Sequence, residues 1–482
     1  MMGALMVIGQ PRPFVHAFVD AVNTAITAHH PGYGLSALQR SWLAFCLTAI
    51  LVTNAVCWAR FERASLGTYS LAALAWMFRH AKIPWELLLV ASVRVLLRHY
   101  GITHGSLVVD DSDKQRAKSA KKIAYLHHLR DKESGGCILG QSLVFLLLVT
   151  PKITIPMGFA FYMPAPELTA WYKQERTLKQ QGIPRKRRPP KPPSNPQYPT
   201  KQALALRLLE QCKTHHPALH VHCIIADALY GSAAFMDGAS ALFGGVQVIS
   251  QLRSNQRVRV YKREQHVADY FATHPGTPQR IRIRGGDEMA AIVGSARLYV
   301  CAHHTKRFVI ALKYDGEDTY RYVMASDLSW RTLDIIHAHT LRWLVEVFVQ
   351  DWKAYEGWDT LAKQPGEEGS RRSVILSLLV DHCLFLHPAQ HAQLTHNLPA
   401  YTVGSLRAQV QVECLVTVIE DLVASVDPPA QLHRLNEALH EVFAFERSKK
   451  HLVQRQLGRL EPTPSLKYRA SEVMRNMPAL ST

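Results

Sequence analysis

The chain has 482 residues, a formal net charge of +18, and 48% hydrophobic against 20% charged residues. That length carries a large core divided among several domains, and that balance excludes a disordered polycation. The charge points to an anionic partner, nucleic acid before an acidic membrane surface.

Taken in chain order, residues from about 14 to 100 read as helices, with apolar residues at helical spacing through 41–58, 69–80 and 84–98. Arg40, Arg60, Arg63, Arg79, Lys82, Arg94 and Arg98 make this a basic region, a candidate DNA-binding region without a recognisable helix-turn-helix. Two apolar stretches approach the length of a membrane span. Residues 42–58 include Asn54 and are short for one, and 142–162 are broken by Pro151, Lys152 and Pro156. A buried helix and a pair of strands are expected there instead. The eight cysteines form no CxxC pair and no cleavable signal peptide opens the chain, which predicts reduced thiols in a cytoplasmic setting.

The pattern then changes to short apolar strands. SLVVDD (106–111) ends in two carboxylates, and CILGQSLVFLLLV (137–149) and ITIPMGFAFYM (153–163) follow. Residues 171–201 hold seven prolines and nine Lys or Arg against one Glu, a composition that predicts an extended loop, either gripping phosphates or solvated. After a helical segment at about 200–214, VHCIIADALYG (221–231) is a second buried strand ending in a carboxylate. Residues 245–328 are rich in strand signals, among them VQVISQL, VRVYKR and RFVIALKY. Long amphipathic helices return from about 370 to 458, and the last twenty or so residues read as loosely ordered.

LRWLVEVFVQDWK (341–353) follows the β-rich segment. At 100° per residue Arg342, Glu346 and Lys353 fall at roughly 0°, 40° and 20°, with His339 near about 60°, opposite an apolar arc that includes Leu341, Val345, Phe348 and Trp352. A solvated face with an i, i+4 ion pair explains the strip taken alone. The order of the whole chain argues otherwise: strand ending in Asp110, strand ending in Asp227, β-rich segment, helix carrying Glu346. Carboxylates at the C-terminal ends of central strands lie where an α/β sheet places functional groups. Three that converge repel one another unless a divalent cation neutralises them, and Mg²⁺ suits oxygen ligands and phosphoryl transfer.

The combination LVVDDS, IIADALYG and R-x3-E-x6-K resembles the Asp-Asp-Glu (DDE) transposases of bacterial insertion sequences, whose third carboxylate lies in a Tyr-x2-Arg-x3-Glu-x6-Lys signature. Arg342, Glu346 and Lys353 match its last three positions, and His339 stands where Tyr is usual. The resemblance covers roughly residues 100–370 and implies an α/β fold with an RNase H-like catalytic core, a β-rich insertion and flanking helical regions. The organisation expected is 1–100 helical and DNA-binding, 101–235 the first part of the core with its basic loop at 171–201, 236–330 the insertion, 331–370 the end of the core with the Glu-bearing helix, and 371–482 a helical C-terminal region.

By the same resemblance Asp110, Asp227 and Glu346 would hold the metal, two Mg²⁺ ions that Mn²⁺ can replace, while Arg342, Lys353 and His339 would contact DNA phosphates, His339 alternatively capping the helix start. It implies cleavage at terminal inverted repeats, joining of the 3′ ends to target DNA, and a homodimeric synaptic complex. A catalytically inactive, transposase-derived DNA-binding protein is the alternative, and a general metal-dependent nuclease a third reading. Side chains alternate faces along a strand, so only one of Asp110 and Asp111 should point into the site; Asp110, directly after the apolar run, is preferred over Asp111 and Asp113. Lys114, Lys118, Lys121 and Lys122 follow and either track DNA or form an exposed basic turn. Cys212, His215, His216, His220, His222 and Cys223 match no common zinc spacing. Of the tryptophans near Glu346, Trp352 belongs to the apolar arc, and Trp343 is better placed to stack on a base.

Overall fold

The computed structural model describes residues 10–116, 122–130, 135–283, 286–358 and 364–442; Lys118, Lys121 and the C-terminal stretch from 443 lie outside them. Five helices come first, α1 (Pro13–His29), α2 (Ala37–Thr53), α3 (Trp58–Ala64), α4 (Leu71–His80) and α5 (Trp85–His99). They are followed by β1 (His104–Gln115), β2 (His127–Arg130), β3 (Cys137–Val149) and β4 (Thr154–Tyr162), then α6 (Pro166–Gln180) and α7 (Lys201–His215). Next come β5 (His220–Ala226), α8 (Ala233–Leu242) and β6 (Gln247–Leu252). The β-rich stretch supplies β7 (Arg257–Val260), β8 (Arg263–His266), α9 (Val267–Thr273), β9 (Thr277–Arg282), β10 (Glu288–Val300), β11 (Thr305–Tyr314) and β12 (Arg321–Ala325). Six helices close the described chain: α10 (Thr332–Thr340), α11 (Trp343–Tyr355), α12 (Gly366–Phe385), α13 (Pro388–Thr395), α14 (Val403–Ala424) and α15 (Pro428–Val442).

The strands form one sheet. At one end the order is β4-β3-β1-β5-β6, with β3 antiparallel to both β4 and β1 and with β1, β5 and β6 parallel, an RNase H-like core. The β-rich stretch continues this sheet, since β12 pairs antiparallel with β6 and β11 and β10 follow. β6 therefore belongs by its pairing to the parallel part, although its sequence reads with the β-rich run. VRVYKR, which reads as one strand, is instead a hairpin tip: Tyr261 and Lys262 take φ of 45° and 70° between β7 and β8. A two-residue turn of that hand matches the twist of the strands it joins.

Strand alternation sorts the core into two layers. Val108, Phe145, Leu147, Ile225 and Ile249 face a layer built from α1 to α5, α10, α11, α12 and α14. Their neighbours Leu107, Val109, Leu146, Ile224, Ala226 and Val248 face α7, α8 and α9. Both faces being covered, β3 and β5 read as unbroken apolar runs. The apolar stretch at 42–58 becomes the buried α2, and 142–162 becomes β3 and β4. Among the described residues no single helix is long and apolar enough to cross a membrane.

The helices from the two ends of the chain share one bundle. Buried His382 on α12 donates from Nε2 to the Pro156 carbonyl on β4 and accepts at Nδ1 from the Ser92 hydroxyl of α5, 2.7 Å away. Asn54 ends α2 in a left-handed conformation and reaches the end of α11, donating to the Ala354 carbonyl at 2.7 Å and accepting from the Gly357 amide at 3.0 Å. Some of the N-terminal cations are engaged internally, Arg40 with Asp20 at 2.7 Å and Arg94 with the His215 carbonyl at 3.1 Å.

The basic segment 171–201 is not one extended loop. Its first ten residues lie in α6, which Pro166 and Glu167 start and whose KQERTLKQ run is made of helix formers. No residue of α6 is buried. It is held instead from the loop, by the Trp171 indole on the Pro189 carbonyl at 2.9 Å and the Arg188–Glu175 ion pair at 2.7 Å. Composition counted over 171–201 hides such a helix, because the prolines and charges of the following loop outweigh its helix formers.

Candidate active site

β1 and β5 run side by side, with one register shift between Gly105 and Leu107, up to Val109 and Ala226, where β5 stops. β1 continues against β3 as far as Gln115, so its last residues border a notch left open by β5. Asp110 and Asp111 begin that overhang, and Asp227 is the first residue beyond β5. Ligand oxygens of all three lie within 4.8 Å of one another. The expectation that only one of Asp110 and Asp111 reaches the site is thereby corrected. Alternation does send them to opposite faces, but the site straddles the end of β5, beyond which no strand on that side of β1 keeps the two carboxylates apart.

Each carboxylate is held differently. Asp110 shares the face of Val108, the α11 side, and its Oδ2 accepts from Arg342 Nη1 at 2.9 Å while Oδ1 accepts from the Asp111 amide at 2.8 Å. Asp111 shares the face of Val109, the α7 side, and its Oδ2 meets the Lys201 ammonium. Asp227 caps a short turn at Ala228–Tyr230, accepting from the Leu229 amide at 2.8 Å, while Ser250 Oγ donates to its carbonyl at 2.7 Å. Burial, outweighing the Asp111 amide and Arg342, with repulsion from Asp227, pushes the Asp110 carboxyl up to about 6. Asp227 is raised in the same way, by burial first and by Asp111. Tyr230 packs beneath, fully buried, its hydroxyl without a hydrogen-bond partner and its pKa pushed up by burial and by these three carboxylates.

Glu346 stands one guanidinium away from this group. Arg342 bridges from Asp110 to Glu346 Oε1, 2.6 Å from Nη2. Lys353 Nζ donates to the Asp113 carbonyl at 2.9 Å, so the three residues of the strip all face the end of β1. The helix that carries them is not continuous. α10 ends at Thr340 and α11 begins at Trp343, joined by tighter i to i+3 bonds such as Arg342 N to His339 O at 3.1 Å. The overwound junction takes His339 off the strip. Its Nε2 is enclosed without a partner, and burial, then Arg342 and Arg321, lower its pKa to about 4. His339 is therefore neutral, with its Nε2 enclosed and the residue as a whole half-buried.

Trp352 is fully buried and stacks on Trp358 with centroids 4.5 Å apart, while Trp343 is exposed. Among the described residues the three aspartates are the one group with metal-ligand spacing, and the Cys and His residues of 212–223 form none. Cys223 is buried, its thiol 3.3 Å from Ser106 Oγ.

Lys201 is the site residue that sequence reasoning missed. Its signal is local: Thr200 accepts from the Ala203 amide as an N-cap, which makes Lys201 the first residue of a helix and not the last of a loop. Gln202 then fixes that helix start to the Asp227 turn, donating to the Leu229 carbonyl at 2.6 Å and accepting from Ser232 Oγ at 2.8 Å.

An all-oxygen donor set fits a hard divalent cation. Residues 35–296, slightly more than half of the chain, match the family model described as DDE superfamily endonuclease, a span that includes all three aspartates and ends before Glu346. No curated protein matches the chain in sequence. Among solved structures it is similar to the piggyBac transposase in a cryo-EM synaptic complex with hairpin DNA, at 10% identity and a TM-score of 0.41, over 93% of this chain and 88% of that one.

Proposed function

The chain belongs to the DDE superfamily of endonucleases, and from that premise we propose that it is the transposase of a bacterial insertion sequence, binding the element's terminal inverted repeats, cutting there, and joining the 3′ ends to target DNA. The observation that carries this reading is the meeting of Asp110, Asp111 and Asp227 at an open strand end, with Arg342 linking Asp110 to Glu346. Asp110, Asp227 and Glu346 are the proposed metal ligands, with Asp111 beside them. Two Mg²⁺ ions, or Mn²⁺ in their place, would supply Lewis acidity for the attacking and leaving oxygens of phosphoryl transfer.

The chain's own residues position the DNA. Arg342 offers a planar fork and Lys353 a mobile point charge to phosphates beside the scissile bond. His339, near enough to Arg342 to feel its charge, is a further proposed phosphate contact. The N-terminal helices to about residue 100 are the proposed DNA-binding region, and the insertion of the core, read from the sequence as 236–330, is proposed to begin after β6, which pairs in the parallel part of the sheet. The two element ends call for two copies of the chain. Exposed Val412, Val416, Ile419 and Val423 run along α14 at helical spacing and suit a homodimer contact. The protein would act in the bacterial cytoplasm on nucleoid DNA.

The test is cleavage of labelled DNA carrying the flanking element end, in Mg²⁺ or in EDTA, by the native chain and by Glu346→Gln. A Mg²⁺-dependent nick at the element boundary that the variant binds but does not make is expected. Equal binding with no cutting by either protein would instead favour a DNA-binding descendant of a transposase, and equal cutting by both would remove Glu346 from the chemistry.

A further inference from the structure

The carboxylate group carries two counter-cations from opposite faces of the sheet, and only Arg342 was expected from the sequence. Lys201 approaches from the α7 side. Its Nζ meets Asp111 Oδ2, lies 4.0 Å from Asp113 Oδ1, and sits 5.3 Å from the centroid of the Tyr162 ring. The side chain is 18% exposed, so it is not sealed within the core. Its backbone has little freedom, because the Thr200 cap and the Gln202 contacts tie the first turn of α7 to the turn bearing Asp227.

We propose that Lys201 is a DNA-contacting residue of this site, an ammonium that occupies Asp111 until a divalent cation takes the carboxylates and that then pairs with a phosphate of the strand being cut. This rests on the nuclease reading above. A lysine pairs with a single carboxylate oxygen here, whereas a divalent cation drawing on three carboxylates has twice the charge and more ligands, so the ion wins the exchange. The displaced ammonium stays close, since only its flexible four-carbon stem moves while the helix start is fixed. A phosphate is the anion then within reach. The chain leading into Lys201 carries exposed Arg185, Lys186, Arg187 and Lys191, a basic approach for a nucleic-acid backbone that ends at the carboxylates.

The experiment uses the full chain and its Lys201→Gln and Lys201→Arg variants, with Mn²⁺ as the probe. Calorimetric titration of Mn²⁺ without DNA reads the exchange directly: removing the competing cation is expected to tighten binding about threefold or more in Lys201→Gln, with Lys201→Arg near the native value. At saturating Mn²⁺, Lys201→Gln is expected to cut DNA about 10- to 100-fold more slowly, and Lys201→Arg to keep part of the rate. A lysine that only braces α7 would weaken ion binding and cleavage together when replaced. Unchanged or weaker Mn²⁺ binding in Lys201→Gln overturns the exchange, and tighter binding with undiminished cleavage overturns the phosphate contact. A native chain that cuts no DNA would bring down the nuclease reading and the phosphate contact with it, while tighter Mn²⁺ binding by Lys201→Gln would still establish that Lys201 and the ion compete for Asp111.

Discussion

Two groups of carboxylates sit at opposite ends of α11, and they are built on opposite principles. At its start, Asp110, Asp111 and Asp227 crowd together at an open strand end, and Arg342 and Lys201 reach in with positive charge. Just past its end, Glu356 meets Asp381 of α12, both buried, with no cation against either among the described residues. Burial, with repulsion from Asp381 and Asp351, raises Glu356 well above the usual carboxyl range, and burial raises Asp381 to about 7. Like charges that cannot be hydrated must be neutralised. The first group can take a metal ion because it is open and cations hold it ready, whereas the second is closed and keeps a proton.

The sharpest way to break this contrast is Asp227→Asn, which removes a charge from the open group while keeping its size. Metal-dependent cleavage is expected to fall by more than about 100-fold, beyond the loss typical of outer partners of metal ligands, and retained cleavage would show that the open group does not hold the ion. Arg342→Lys keeps the charge but loses the fork spanning Asp110 and Glu346. Cleavage is expected to drop about 10-fold or more, and an unaltered rate would mean that charge without geometry is enough.

The closed group has a pH signature of the opposite kind. A carboxyl raised from 3.8 to about 7 contributes stability that is full below pH 3.8 and is lost as the pH rises towards 7. Asp381→Asn is neutral throughout and is expected to flatten the fall in unfolding midpoint between roughly pH 4 and 7. The same slope in variant and native chain would mean that the proton is not held there. The smallest effect is expected from Lys353→Ala, which should lower the slope of log affinity for DNA against log salt by about one. A slope that does not move would leave Lys353 to its contact with the Asp113 carbonyl.

What the sequence made legible follows from local rules. Asp110 and Asp227 stand out because an apolar period-2 run ends on each, and Glu346 because its helix is amphipathic. The notch was not legible, since it depends on β5 stopping against Val109, a pairing between residues more than a hundred positions apart. The same long-range geometry let both Asp110 and Asp111 reach the site. The enclosure of His339 Nε2 was not legible because the overwound turn at Leu341 and Arg342 leaves no mark in a helical wheel that assumes constant pitch. Lys201 was hidden by the prolines before it: composition counted over 171–201 outweighed the single threonine cap that starts α7.

The clasp between Asn54 and the end of α11 bears on how such a protein can be recombined. The Glu-bearing helix is docked on a loop contributed some three hundred residues earlier, through one side chain that serves as both donor and acceptor. A hybrid that exchanges the leading helices for those of a relative, to redirect it to another element's ends, therefore also replaces the abutment of Glu346. Retargeting by modular exchange would have to carry Asn54 and its left-handed turn across the junction, or the new specificity would arrive with a loosened cutting site.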